Sequence, residues 1–109
     1  MSDLYPIKKL NYAAIDPAIE DWASENALQV HKVYKDTEVR TVDVTDPTAA
    51  RRVQIWIDPL EGSQTTVNVW EIPTRIRPRK PATRLPATKD NLRHVLDEAL
   101  SLAKSWLET

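Results

Sequence analysis

The chain has 109 residues, 41% of them hydrophobic and 28% charged, which places it in the ordinary globular range and gives it enough length for one core and one domain. It has no cysteine, so disulfides, thiolate metal sites and thiol nucleophiles are excluded, and Gly62 is its only glycine, so no glycine-cradled phosphate loop can be built. The net charge of −1 hides an asymmetry: residues 73–89 hold Arg75, Arg77, Arg79, Lys80, Arg84 and Lys89 without an acid, leaving about −7 on the remainder.

The first nine residues, Met1 to Lys9, lack the basic flank and apolar run of a secretory signal. No stretch approaches the roughly 18 apolar residues of a membrane span. A soluble cytoplasmic protein is the expectation, and the lack of cysteine fits a reducing compartment.

Residues 5–15 allow either a helical turn through Ile7, Leu10 and Ala14 or an extended arm around Pro6 and Tyr12. Asp16 and Pro17 then predict a helix over 16–26, with Asp16 as N-cap and proline at the first helical position. Ile19, Trp22 and Ala23 share its inner face, while Glu20, Asp21 and Glu25 point to water. Residues 28–35 and 38–44 are rich in β-branched and aromatic side chains around a polar break at Asp36-Thr37, which predicts a hairpin of uncertain register. Thr45-Asp46-Pro47-Thr48 reads as a turn.

The most informative stretch follows. Val53-Gln54-Ile55-Trp56-Ile57-Asp58-Pro59 and Val67-Asn68-Val69-Trp70-Glu71-Ile72-Pro73 repeat one pattern fourteen residues apart. Each alternates a branched apolar residue with an amide and then a tryptophan, which predicts strands over 51–58 and 65–72. In an antiparallel pair, opposed residues have a constant index sum. An even sum such as 124 puts Val53, Ile55, Ile57, Val67 and Val69 on one face and Gln54, Trp56, Asn68 and Trp70 on the other. An odd sum mixes the two kinds on both faces. The even register is therefore expected, with the aliphatic face as core, and it places Asp58 and Glu71 on opposite faces.

Residues 73–88 include Pro73, Pro78, Pro81 and Pro86, and read as a basic strap in neither helix nor central strand. An extended polyproline conformation reaches roughly 3.1 Å per residue, so about fourteen residues span on the order of 43 Å and can place the last helix. That helix, 89–108, is capped by Thr88 and carries Leu92, Val95, Leu96, Ala99, Leu102, Ala103, Trp106 and Leu107 at three- and four-residue spacing. The predicted architecture is α+β: a four-stranded, mostly antiparallel meander with both helices packed on one face.

Trp56 and Trp70 then lie as diagonal neighbours on the far face, beside Gln54 and Asn68. The strap leaves from the second Trp strand and is the first candidate to cover them. Burial by a helix or by a dimer mate, and an open binding face, are the alternatives. Six positive charges beside two indoles also match the track-and-platform chemistry of single-stranded nucleic-acid binding, against a slightly acidic whole. Arg75, Pro78 and Pro81 fit an Arg-x-x-Pro-x-x-Pro ligand pattern that arises easily in any basic proline-rich stretch.

His31 and His94 are the only histidines and have no metal-motif spacing, and no nucleophile elbow or paired histidine is present. The expectation is a non-enzymatic domain that needs no cofactor and binds another protein, or a second copy of itself, in the manner of an adaptor, inhibitor or immunity protein. Trp56, Trp70, Gln54 and Asn68 centre its contact, with Arg75, Arg77 and Arg79 supplying charge. Single-stranded nucleic acid is the alternative ligand.

Overall fold

A computed structural model describes residues 10–48, 50–73 and 81–108 of the chain. Its elements in order are α1 (Asp16–Glu25), β1 (His31–Tyr34), β2 (Thr37–Thr45), β3 (Arg52–Ile57), β4 (Gln64–Glu71), β5 (Thr83–Thr88) and α2 (Leu92–Leu107). The five strands form one antiparallel sheet in the order β1-β2-β3-β4-β5. With helices at both ends of the chain packed on it, the fold is α+β.

The expected sheet had four strands; there are five. The second half of the proline-rich strap pairs with β4, from Gln64↔Thr88 to Val69↔Thr83. Pro86 is compatible with this because β5 is the outermost strand, where a missing N–H costs no ladder bond on the open side. Residues 83–88 therefore do not act as a free span toward α2, since they run alongside β4. Thr88 ends β5 rather than capping the helix; its hydroxyl accepts the Asn91 N–H at 3.2 Å while Asn91 Oδ1 accepts the Thr88 N–H at 2.6 Å. Asp16 likewise sits inside the first turn, with Ile15 at the cap position. Residues 28–30 lie outside β1, and the tight turn falls at Lys35-Asp36.

The pairing of β3 with β4 runs Val53↔Glu71, Gln54↔Trp70, Ile55↔Val69, Trp56↔Asn68 and Ile57↔Val67, the even register. Val53, Ile55, Ile57, Val67 and Val69 are buried there, joined by Val42 and Val44 of β2. Ile19 and Trp22 of α1 and Leu92, Leu96, Ala99, Leu100 and Ala103 of α2 close the same core. Leu102, Trp106 and Leu107 pack at its rim. No helix among the described residues is long and apolar enough to cross a membrane.

Two arginines tie the helical layer down. The Arg40 side chain is 5% exposed; its Nε and NH2 donate to the Asp16 carboxylate at 2.6 and 2.9 Å, and NH2 also reaches Glu38 at 3.3 Å. The same guanidinium stacks 4.5 Å from the Tyr12 ring, whose hydroxyl donates to the Ile57 carbonyl at 2.9 Å. Burial, then the nearby Asp58 charge, pushes the Tyr12 hydroxyl up to about 12. At the other end, Arg51 bridges the buried Glu71 and the Trp106 carbonyl in the last turn of α2.

α1 closes with a Schellman pair, Leu28 N–H to Ala23 O at 2.8 Å and Ala27 N–H to Ser24 O at 3.3 Å. Ala27 sits at φ 55°, a left-handed conformation that costs a side chain about 1 kcal/mol. Ala27→Gly is expected to raise unfolding stability by about that amount, read as a higher urea midpoint at unchanged slope. Arg40→Met is expected to cost about 3 kcal/mol in the same assay, because Asp16 and Glu38 lose the charge that neutralises them.

Candidate functional site

The face of the sheet away from the helices is built by the residues the register turns outward. β3 presents Arg52, Gln54 and Trp56, with Asp58 just beyond its end, and β4 presents Gln64, Thr66, Asn68 and Trp70. β5 adds Arg84 and Pro86, opposite Asn68 and Thr66. β2 adds Asp43, opposite Gln54.

Trp56 and Trp70 are half-buried there, together with Gln54 and Asn68. Trp70 Nε1–H donates to Gln54 Oε1 at 3.2 Å, and Gln54 Nε2–H donates onward to Asp43 Oδ1 at 3.2 Å. Asp43 stands 3.8 Å from Arg52 and 3.7 Å from His31. Asn68 uses its amide twice, donating to the Trp56 carbonyl and to Asp58 Oδ1, each at 3.1 Å. The Trp56 ring meets Tyr34 of β1 edge-on, with centroids 6.2 Å apart and planes at 74°. Tyr34 is 56% exposed, Val33 beside it 49%, and Lys35 Nζ lies 5.4 Å from the Tyr34 ring centre. The aromatic patch therefore runs from Trp70 past Trp56 to the β1 edge, and its polar atoms orient one another (side-chain bonds to charged groups count for more than neutral ones).

Four of the expected site residues, Trp56, Trp70, Gln54 and Asn68, are brought together as the parity argument requires. Arg75, Arg77 and Arg79 lie outside the described residues. The described end of the strap, β5, lies beside β4 rather than over the indoles; Ala82 and Arg84 form one wall of a depression of about 320 Å³ that Trp56, Asp58, Asn68 and Trp70 complete. A second depression of about 460 Å³ begins at Asp58 and continues past Gln64, Thr66, Pro86, Thr88 and Asn91.

Asp58, Asp43, Tyr34 and Arg84 are site residues the sequence argument did not select. For Asp58 the signal was present, since an even index places it on the Trp face. Arg84 was hidden by reading its segment as a strap, and Tyr34 by the register shift between His31 and Val33. Glu71, as expected, faces the other way, into the Arg51 pair. Among the described residues no group of three or more histidine and acidic side chains stands together as a metal would need.

Electrostatically, Asp58 is the unusual member. Burial raises its carboxyl above the ordinary range, against the Asn68 hydrogen bond and the Arg84 charge, which lower it, and Glu61 adds to the rise. Among the described residues it makes no ion pair, whereas Asp43, Glu38 and Glu71 all do.

Compared with known protein families, with curated proteins and with solved structures, the chain matches none.

A carboxyl raised in the folded state binds its proton more tightly there than in the unfolded chain, so its ionised form weakens the fold at neutral pH. Asp58→Asn, which keeps an oxygen for Asn68, is expected to raise the denaturation midpoint at pH 7. The gain should shrink as the pH falls through the raised carboxyl value, and a variant less stable than the parent at pH 7 contradicts this account.

Proposed function

We propose that the chain is a non-enzymatic recognition domain that binds another protein through the sheet face opposite its helices. One observation carries this reading: Trp56, Trp70 and Tyr34 are gathered on the layer that neither helix packs against, and hydrogen bonds within the face hold the indole of Trp70 and the amides of Gln54 and Asn68 in place. Preorganised aromatic groups contribute to binding at low ordering cost, which is why tryptophan and tyrosine dominate interface energetics. The exposed cations Arg52 and Lys35 flank the patch, and the basic residues 75–80 follow β4 in sequence, which favours an acidic partner surface. A second copy of the chain is a partner of the same class.

Nucleic acid is the weaker reading of this face. Asp43 and Asp58 stand among the aromatic groups, where a phosphodiester backbone tracking the indoles meets two carboxylates.

The test pairs capture with reconstitution. A tagged chain is used to isolate partners from its native cell, each is identified by mass, and the purified partner is titrated by calorimetry; light scattering reports self-association. Trp56→Ala with Trp70→Ala is expected to weaken binding more than 100-fold, as two contact residues worth about 2 kcal/mol or more each would. The far-UV circular dichroism of the double variant should match the parent. Undiminished binding by a folded double variant, or loss of the fold itself, refutes the assignment of these rings as a contact surface.

A further inference from the structure

Both depressions are lined by Asp58, and we take them as one groove along the cross-strand pairs Gln64–Thr88, Thr66–Pro86 and Asn68–Arg84. From Gln64 to Trp70 the bed runs six residue steps, about 20 Å at the rise of an antiparallel strand. That length suits an extended ligand rather than a single ring.

Its lining is unusual for a small-molecule site, which is ordinarily apolar. Asp58 commits one carboxylate oxygen to Asn68. Arg84, Gln64 and Thr66 make no side-chain hydrogen bond or ion pair with the described residues, so the groove offers an acceptor, a forked donor, an amide and a hydroxyl side by side. Trp56 supplies a flat apolar wall to the same groove.

Charge narrows the ligand. Asp58 and Glu61 oppose a polyanion, Arg84 opposes a polycation, and the aliphatic lining is limited to small residues, Pro59, Ala82, Pro86 and Ala87, interleaved with polar ones. A chain of neutral rings with vicinal hydroxyls satisfies each element: paired hydroxyls donate to a carboxylate or accept from a guanidinium fork, and ring C–H faces lie against an indole. We propose that the groove from Gln64 to Trp56 binds a neutral oligosaccharide, with Asp58 and Asn68 as its central hydrogen-bonding pair. This goes beyond the protein-recognition reading and does not depend on it.

The test titrates the full ¹⁵N-labelled chain with maltohexaose, cellohexaose and chitohexaose separately, following the Trp56 indole and the Asn68 and Gln64 side-chain amides by NMR. At least one sugar is expected to give saturable shifts at those three groups. Asp58→Asn and Thr66→Val, each on a chain with undisturbed amide dispersion, should weaken that sugar at least tenfold. No saturable shift with any of the three at millimolar concentration overturns the proposal, and so does binding that survives both substitutions. Thr66 is not among the contact residues of the protein reading, so partner capture by the Thr66→Val chain reports that reading independently.

Discussion

The β3–β4 register is the constraint on which the rest of the molecule depends. With Ile55 opposite Val69 and Trp56 opposite Asn68, every branched aliphatic side chain of the two central strands enters the core. A slip of one residue would drive one indole and one amide under the helices and turn the aliphatic side chains of the same strand to the outer face. No helical packing could compensate for that exchange, since each large aliphatic group removed from water is worth about 1.5–3 kcal/mol. The same register delivers Glu71 to the inner face, where it is a liability unless neutralised. Arg51 neutralises it and also receives the last turn of α2, so the end of the longest helix is positioned by a consequence of strand pairing.

The two faces handle charge in opposite ways. On the helical side, Arg40 and Arg51 each hold a carboxylate through paired hydrogen bonds and spend a remaining N–H on a backbone carbonyl, Val39 for the one and Trp106 for the other. Buried cations so completely used are structural: they fix α1 and α2 over the sheet and leave nothing for a ligand. On the far face two side-chain bonds are neutral, amide to carbonyl and indole to amide, two end on the carboxylates of Asp43 and Asp58, and Asp58 makes no ion pair among the described residues. A partly buried carboxylate at a surface depression, without an ion pair among the described residues, is the feature on which the proposed groove rests.

How much of this was legible in the residues follows from how each segment encodes its environment. The β3–β4 pair alternates strictly and has two chemically distinct faces, so parity alone orders it and places Trp56, Trp70, Gln54 and Asn68 together. α2 carries its apolar stripe at helical spacing and was equally plain, although Leu100 was missed because it lies at the margin of that stripe. Residues 83–88 carry Pro86, which argues against a central strand and leaves no alternation to mark an edge strand, the position that β5 in fact takes. Tyr12 gave no periodic signal at all; its role depends on Arg40 and the Ile57 carbonyl, which only the folded chain brings near.

The cost of Asp58 bears on why this face should be a working surface at all. Most positions on an exposed sheet face tolerate a polar residue freely, and a chain selected only for stability has no reason to keep a carboxyl where burial raises it. Asn68 supports that carboxyl with one amide hydrogen bond and spends its second on the Trp56 carbonyl, so the charged group and the aromatic strand are held in fixed relation. Removing the charge would relieve the fold and leave the geometry intact. A carboxyl that burial raises, oriented by Asn68 and open to a depression, is the group through which the proposed groove would hold a ligand.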